Sequence, residues 1–229
     1  MDVIQQQPDV WIVEDWGLID YEEALERQLT YVAARKVGNR PDTMVLLEHP
    51  AIYTLGARKG AEKHLLWDEG QRQANGIGLV RSNRGGDITY HGPGQIVGYL
   101  ICDARGSGDL HAVLRAIEEM LINTLSDFGL TGTRRAGKTG IWFEERKVAA
   151  IGVAVKSWIT YHGFSLNVNP DLSHFSGIIP CGITDGTVTS LAEEMNDSAP
   201  SLSMTKKKLA CHFSGLRRAL GGREELEIN

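Results

Sequence analysis

A cysteine and a lysine are the residues of this sequence that best suit covalent chemistry. Cys181 lies in the stretch GIIPCGIT, where a proline stiffens the chain before it and a glycine lets the chain turn after it. A thiol in such a loop can be presented at a surface, and its thiolate is a strong nucleophile toward acyl groups. Cys102 and Cys211 fall in strand-like and helix-like apolar patterns, which predict small buried residues.

A nucleophilic cysteine needs a group that removes its proton, and Lys147 is the most informative candidate. It begins the run KVAAIGVAV, in which alternate residues are buried if the run is a strand. An amine that loses solvation gives up its proton more readily. The two glutamates just before it leave open a solvent-facing hairpin lysine. His91, His162 and His174 are the other candidate partners, although single histidines are more often structural.

Polar residues alternate with glycines in RGGDITYHGPGQ, between Arg84 and Gln95. Such a string is poor core material and a good cradle for a ligand, because glycine lets a ligand approach the backbone closely. The histidines show no HExxH or HxH arrangement and no acidic pair has metal-site spacing. We therefore expect no bound metal.

Two familiar nucleotide-binding patterns occur here in the wrong setting. Gly132–Thr139, GTRRAGKT, matches the phosphate-loop consensus, but that loop must follow a strand and open a helix. Here a helical segment precedes it and a strand-like segment follows it. Gly92, Gly94 and Gly98 imitate a dinucleotide fingerprint, yet they lead into the strand-like run IVGYLI. We interpret the first as a basic surface loop and the second as a tight turn between strands.

The elements that position these residues follow from local patterns. Asp20 is the predicted N-cap of a helix over Tyr21–Lys36, and helical spacing predicts further helices over His111–Phe128 and from about Met204 to Leu220. Strands are predicted at VWIVED, at TMVLLEHPAIYTLG, in several pieces across Gly76–Asp103 as the centre of the sheet, and on both sides of Lys147. A loop spans Pro170–Gly186. The pattern favours an α+β fold with a largely antiparallel or mixed sheet.

Composition sets limits on the function. The chain has 229 residues with a net charge of −5, which argues against nucleic acid as a partner, because phosphate binding requires a basic surface. One domain over 1–229 is expected. No apolar run approaches a membrane span, so we expect a protein of the cytoplasm with no membrane contact. Three cysteines without a CxxC pair predict free thiols.

The cradle sequence RGGDITYHGPGQIVGYLI resembles the signature of the lipoyl(octanoyl) transferases, which move octanoate from acyl carrier protein to lipoyl domains. The likeness continues through LEHPAIYTLG, GIWF, KVAAIGV, HGFSLNVNPDLSHFSGIIPCGI and DGTVTSL, and so spans most of the chain from Leu47 to Leu191. It implies the fold shared by biotin and lipoate ligases, with a large mixed sheet, a smaller sheet beside it and flanking helices.

The resemblance also implies roles for individual residues. The catalytic dyad of the family falls on Cys181 and Lys147. The substrate contacts of the family fall on three short segments, namely Arg84, Gly85, Gly86, Asp87, Ile88, Thr89, Tyr90 and His91, then Ala150, Ile151 and Gly152, then Gly163, Phe164 and Ser165. Ala150 departs from the serine common in relatives, which weakens a hydroxyl role there and leaves backbone contacts untouched.

The implied reaction transfers octanoate through a cysteine thioester, without ATP, metal or other cofactor. Its partners are acyl carrier protein, the lipoyl domains of 2-oxoacid dehydrogenase E2 subunits and the glycine cleavage H protein, and the expected oligomeric state is a monomer. Three alternatives stay open at this point: an ATP-dependent lipoate or biotin ligase on the same fold, a non-catalytic protein that binds acyl groups or their carrier, and a cysteine hydrolase. A basic rim that steers the acidic carrier is a further hypothesis, on Arg58, Lys59, Arg81, Arg84, Arg134, Arg135 and Lys138.

Overall fold

The computed structural model describes residues 11–182, 185–196 and 198–221, with Cys181 described by its backbone only. The strands are β1 (Trp11–Leu18), β2 (Asp42–Glu48), β3 (Ile52–Leu55), β4 (Gly78–Arg81), β5 (Thr89–His91), β6 (Gln95–Ile101), β7 (Thr133–Arg135), β8 (Lys138–Phe143), β9 (Arg146–Lys156), β10 (Ile159–Asn167) and β11 (Thr187–Val188). The helices are α1 (Tyr21–Lys36), α2 (Glu69–Ala74), α3 (Leu110–Ser126), α4 (Leu191–Glu194) and α5 (Leu202–Ala219). Short 3-10 turns cover Ala61–His64, Leu172–Gly177 and Pro180–Gly182.

The strands form a large mixed sheet and a smaller one, as the sequence predicted. The large sheet runs in the order β1-β2-β6-β10-β9-β8-β7, with β11 beside β9. Its β1–β2 and β9–β11 pairs are parallel, and its other pairs are antiparallel. The small sheet has the order β4-β3-β5. Together with the helices, the two sheets make the predicted α+β fold.

The segment predicted as the centre of one sheet is in fact divided between the two sheets. β6 is central in the large sheet, whereas β4 and β5 belong to the small one. The chain changes sheets at the turn GPG, where Gly94 has φ +85° and its N–H donates to Glu48 Oε2 at 2.8 Å. A Cβ on Gly94 would lie 2.2 Å from the Asn169 carbonyl oxygen, so only glycine fits this crossing point. Local strand propensity does not reveal which sheet a strand joins.

Helices cover both faces of the large sheet because its strands are apolar on both sides. In β2, Met44 and Leu46 face the core under α3 and α5, while Val45 and Leu47 face α1. Helix α1 has the predicted bounds, and the Asp20 side chain accepts hydrogen bonds from the first-turn amides. Among the described residues, no helix is long and apolar enough to cross a membrane.

Candidate active site

Lys147 is a buried residue at the start of β9, so the alternative of a solvent-facing hairpin lysine is wrong. The residue is 5% exposed, and its Nζ lies 5.2 Å from the centroid of the Trp142 ring. The side chain passes over Gly140, where a Cβ would lie 2.5 Å from Lys147 Cε. Gly140 and Trp142 precede Lys147 on the antiparallel strand β8, so the hairpin itself builds the channel for the amine.

Cys181 lies in the short 3-10 turn Pro180–Gly182, and its side chain is outside the described residues. Its neighbours fix the place of the turn. Pro180 lines the same cleft as Lys147, and the Gly182 N–H donates to the Ile179 carbonyl oxygen at 3.1 Å. Gly182 has φ +67°, a conformation that glycine adopts without strain. The backbone of the cysteine turn therefore borders the lysine cleft, and the distance between thiol and amine stays a prediction.

The cleft has two compartments. The one at Lys147 has a volume of about 270 Å³, open in part to solvent, and is lined by Thr89, Gln95, Lys147, Val148, Ala149, Ala150, Ser165, Asn167, Phe175, Pro180 and Val188. The second, of about 450 Å³, is lined by Tyr21, Arg84, Gly86, Asp87, Thr89, His91, Val97, Tyr99, Ala150, Ile151, Gly152, His162, Gly163, Phe164 and Ser165. Thr89, Ala150 and Ser165 line both compartments, so the two spaces adjoin.

Strand pairing explains why distant motifs meet here. In the antiparallel ladder of β9 and β10, Ala150 pairs with Ser165, Ile151 with Phe164, and Gly152 with Gly163. Two segments that the resemblance named separately are thus direct neighbours. The cradle closes over them, because the Gly85 N–H donates to the Val153 carbonyl oxygen at 3.0 Å.

Three predicted contacts do not line either compartment. Gly85 makes the backbone bridge to β9, and Ile88 and Tyr90 are buried in the core of the small sheet. The Tyr90 hydroxyl lies 2.8 Å from His174 Nδ1. These residues therefore anchor the cradle to β9 and to the small sheet.

Arg84 folds back onto the small sheet. The residue is 8% exposed, its Nε donates to Thr54 Oγ1 at 3.0 Å, and its Nη2 donates to the Thr54 carbonyl oxygen at 2.5 Å. A Cβ on Gly56 would lie 2.8 Å from Arg84 Nη1, so glycine makes room for the guanidinium. A buried guanidinium is always charged, and it places a fixed positive charge at the edge of the second compartment.

The buried histidines at the cleft are held neutral. Burial, followed by the positive charge of Arg84, lowers the pKa of His162 to about 3. Burial lowers the pKa of His49 to about 4, and burial followed by the neighbouring His49 lowers that of His91. His91 Nδ1 donates to Gln95 Oε1 at 2.7 Å, and its Nε2 lies 3.4 Å from Thr54 Oγ1. Both ring nitrogens of His91 thus have structural partners, which favours Lys147 over His91 as the proton acceptor.

A chain of buried polar groups continues from His91 to the strand that carries Lys147. Gln95 Nε2 donates to Asn167 Oδ1 at 2.8 Å, and Asn167 Nδ2 donates to the Thr189 carbonyl oxygen at 2.8 Å. The Thr189 N–H donates to the Lys147 carbonyl oxygen at 3.0 Å. This chain fixes the walls of the first compartment relative to one another.

Several residues that line the cleft are not among the predicted contacts. Gln95, Val97 and Tyr99 alternate along β6 and so face the cleft together, and this alternation is visible in the sequence of the predicted strand. Tyr21 reaches the cleft from the first turn of α1, and no local pattern signals that. Cys211, predicted to be buried, is exposed on α5, because it lies on the outer face of that helix.

The two rejected nucleotide motifs are structural, as predicted. Gly132–Thr139 includes the hairpin of β7 and β8 and opens no helix. The residues Gly92–Gly94 form the turn between β5 and β6. Among the residues that the structure describes, no group of three His, Cys, Asp or Glu side chains is placed to hold a metal ion.

A buried amine beside a cysteine turn, with an adjoining glycine-lined compartment on a mixed sheet, makes up the candidate site. The family described as the lipoyl protein ligase A/B catalytic domain matches residues 20–214. The chain therefore belongs to this family.

Curated relatives agree on one name. Octanoyltransferase of Solibacter usitatus is 50% identical over 177 residues, covering 77% of this chain and 80% of the relative. Octanoyltransferase of Gloeobacter violaceus is 46% identical over 203 residues and covers 86% of each chain. Octanoyltransferase of Cytophaga hutchinsonii is 42% identical over 225 residues, with 90% and 91% covered. The agreement confirms the predicted family and the predicted enzyme class, an acyltransferase.

Solved structures confirm the fold. A lipoate-protein ligase A bound with ATP superposes with a TM-score of 0.69 at 16% identity, covering 91% of this chain and 85% of the other. The bipartite lipoate protein ligase of Thermoplasma acidophilum gives 0.67 at 17% identity, with 90% and 83% covered. The biotin protein ligase of Aquifex aeolicus gives 0.52 at 12% identity, with 93% and 71% covered.

Proposed function

We propose that this chain transfers an octanoyl group from octanoyl acyl carrier protein to a lysine of lipoyl domains, through a thioester on Cys181. This transfer is the first step of protein lipoylation. The observation that carries the proposal is the burial of Lys147 in a cleft whose border includes Pro180, the residue before Cys181. The name shared by the curated relatives supports the octanoyl group.

The first half-reaction exchanges one thioester for another. Lys147 accepts the proton of the Cys181 thiol, and the thiolate attacks the octanoyl carbonyl carbon of the donor. A sulfur–carbon bond to Cys181 forms, the bond to the pantetheine sulfur breaks, and Lys147 returns the proton to the departing thiolate. The exchange is close to neutral in free energy, because the bond broken and the bond formed are of one kind.

The second half-reaction forms an amide. The amine of a lipoyl-domain lysine attacks the octanoyl carbonyl carbon on Cys181, the carbon–sulfur bond breaks, and Lys147 moves the amine proton to the leaving thiolate. Amide formation from a thioester runs downhill, so the proposal includes no ATP, metal or other cofactor. Backbone N–H groups at the Cys181 turn and at β9 are the candidates for stabilising the tetrahedral oxyanion, at about 3 kcal/mol for each well-placed donor.

The second compartment is the proposed binding site of the octanoyl chain. Gly86, Gly152 and Gly163 present backbone along it, and Val97 and Ile151 add apolar wall. Burial of each methylene contributes about 0.8 kcal/mol before losses. In this proposal the thioester carbonyl lies in the first compartment, toward Lys147, and the lining that the two compartments share at Thr89, Ala150 and Ser165 supports this arrangement.

The acyl donor is acyl carrier protein, and the acceptors are the lipoyl domains of 2-oxoacid dehydrogenase E2 subunits and the glycine cleavage H protein. The enzyme works as a monomer in the cytoplasm, without nucleic acid or membrane.

Mass spectrometry of the intact protein tests the proposal. Incubation with octanoyl acyl carrier protein, without ATP, is expected to add one octanoyl group that maps to Cys181. The adduct is lost in Cys181→Ala and kept in Cys211→Ala, a matched control because Cys211 is a free and exposed thiol. Octanoylation of a lipoyl domain that requires free octanoate and ATP, with no adduct on the protein itself, would instead assign the protein to the ATP-dependent ligases. Transfer that survives Cys181→Ala undiminished would refute the thioester mechanism.

A further inference from the structure

Asp87 carries a deeply buried carboxylate that the proposed chemistry does not use. Its side chain is 1% exposed, and His64 Nδ1 lies 2.9 Å from each of its two oxygens. Arg58 Nη1 lies 3.3 Å from Oδ2, and the Ile88 N–H donates to Oδ1 at 2.7 Å. An ionised carboxylate only accepts hydrogen bonds, so the Nδ1 of His64 carries its proton toward Asp87. Asp87 lines the second compartment, and its carboxylate contacts His64, Arg58 and the Ile88 N–H.

The cluster lies against the turn that carries the nucleophile. A Cβ on Gly182 would lie 3.0 Å from His64 Cε1 and 3.2 Å from Asp87 Oδ2, so glycine lets the turn pack onto the pair. The His64 carbonyl oxygen accepts the Ile179 N–H at 2.8 Å, two residues before Cys181. His64 therefore bonds the cradle through its ring and the chain before Cys181 through its backbone.

We infer that Asp87 and His64 form a positioning pair that sets the Cys181 turn relative to the acyl compartment. Asp87 thus acts in the reaction through His64, in addition to any contact that its backbone makes with substrate. The inference deepens the proposed function and rests on it. The pair joins two segments that are far apart in the sequence, the cradle and the chain before Cys181. A misplacement of about 1 Å in such a site costs up to about 10²-fold in rate.

The loop around Cys181 needs such an anchor. Between the turns Leu172–Gly177 and Pro180–Gly182, the chain is held by single backbone bonds from Ile178 and Ile179 rather than by a full strand ladder. A charge-assisted hydrogen bond, with its carboxylate shielded from water, is stronger than a neutral one. The pair therefore supplies rigidity where regular secondary structure does not.

The test uses the full-length chain with conservative variants. Asp87→Asn keeps an acceptor for His64 and removes the charge, and His64→Gln removes the ring. Asp171→Asn is the matched control, because Asp171 makes the looser His–Asp contact of 3.6 Å to His174 and is 58% exposed. The readouts are kcat and KM for octanoyl acyl carrier protein, and hydrogen exchange of the backbone amides across 176–182.

For a positioning pair, Asp87→Asn lowers kcat by about tenfold and leaves KM within about twofold, because the loss falls on the reacting geometry. Amide exchange across 176–182 becomes at least about tenfold faster, since the loop opens more readily. The double variant with His64→Gln is no slower than the slower single variant, as expected of two groups that act as one unit. Asp171→Asn changes none of these quantities by more than about twofold.

Three results would overturn the inference. A raised KM with unchanged kcat would show that Asp87 only binds substrate. Multiplicative losses in the double variant would show that the two residues act independently. Unchanged amide exchange would show that the pair does not hold the loop. The exchange measurement needs no substrate, so it separates failure of the positioning pair from failure of octanoyl transfer, which the wild-type adduct reports.

Discussion

Two glycine-rich loops of this chain differ in what their polar groups contact. In the hairpin loop, residues 132–139, the basic side chains form ion pairs with acidic neighbours. Arg134 bonds Glu118 at 3.0 Å and Glu119 at 2.6 Å, and Lys138 pairs with Asp185. In the cradle loop, residues 84–94, the arginine turns inward to Thr54, and the glycines pack against strands that border a cleft.

The difference shows that composition alone does not identify a binding loop. What identifies it is an open compartment beside the loop in the folded structure. Glu118 is 1% exposed on α3 and also accepts the Gly140 N–H at 3.2 Å, so the hairpin is anchored with its polar groups satisfied. In the cradle, polar and backbone groups surround the compartment of about 450 Å³. The phosphate-loop sequence lies in the hairpin loop, whereas residues of the cradle loop line the candidate site.

The largest expected effect comes from a comparison of Lys147, in the cleft, with Lys138, in the hairpin loop. Lys147→Ala is expected to lower kcat/KM for octanoyl transfer by about 10²–10⁴-fold, the range for loss of a general acid-base group. Lys138→Ala removes the lysine of the phosphate-loop motif and is expected to stay within about twofold of wild type, because its ion pair with Asp185 is at the surface. Steady-state kinetics on both variants give the result. Equal losses would mean that the hairpin takes part in catalysis.

The second prediction contrasts glycines of the two regions. A Cβ on Gly152 would lie 2.6 Å from the Gly85 carbonyl oxygen, so Gly152→Ala must push the cradle away from β9. We expect a loss of about 1–3 kcal/mol of unfolding free energy, the usual cost of overpacking, together with weaker acylation. Gly137→Ala meets no atom within 4 Å, and its φ of +72° costs about 1–2 kcal/mol.

Urea unfolding and the rate of octanoyl adduct formation separate the two glycine variants. Gly137→Ala is expected to lose stability alone and to acylate at the wild-type rate. If Gly152→Ala acylated at the wild-type rate as well, the closure of the cradle on β9 would not matter for the reaction.

A third prediction follows from the neutral histidines behind the cradle. The pKa of His162 is lowered to about 3, whereas an unfolded histidine titrates near 6.5, so the unfolded chain binds the extra proton between these values. The stability that this group contributes is therefore present above pH 6.5 and is lost as pH falls toward 3. The slope is about 1.4 kcal/mol for each pH unit in this window.

Unfolding free energies of wild type and His162→Asn at pH 7.0 and 5.5 check the slope. The variant keeps a residue that tolerates the positive φ of 54° at this position and is expected to lose less stability on acidification than wild type. His111→Asn is the surface control, with the wild-type slope expected, because His111 is exposed. Parallel slopes for wild type and His162→Asn would place the acid sensitivity elsewhere.

Local sequence patterns were enough to predict the helices. The surroundings of the site residues depend on contacts between segments that are distant in the sequence. Asp20 and the amphipathic spacing that follows it contain everything needed to place α1. The burial of Lys147 depends on the register shift between Ile141 and Trp142 in the β8–β9 ladder, which no single segment encodes. The neutral state of His162 likewise depends first on its burial and then on the charge of Arg84, which reaches the same cleft from a loop 78 positions earlier.

The smallest expected effect tests the basic-rim hypothesis on the hairpin side. Arg84 is buried, and Arg58, Arg134, Arg135 and Lys138 are in ion pairs, which leaves Lys59 and Arg81 as the exposed members of the predicted rim outside these ion pairs. Arg135→Gln breaks a surface contact to Asp185 and is expected to cost less than about 1 kcal/mol of stability. We also expect it to leave KM for octanoyl acyl carrier protein unchanged, and Lys59→Glu to raise it.

The salt dependence of kcat/KM shows whether Lys59 steers the carrier by long-range attraction. Attraction between exposed charges is screened within about 10 Å at 0.1 M ionic strength, so a steering role for Lys59 predicts that its effect on kcat/KM shrinks as salt rises. Arg135→Gln should show no salt dependence beyond that of wild type, because the acidic partner of Arg135 already neutralises it. If Arg135→Gln raised KM and salt removed the effect, the carrier would dock on the hairpin, and the two loops would serve one surface.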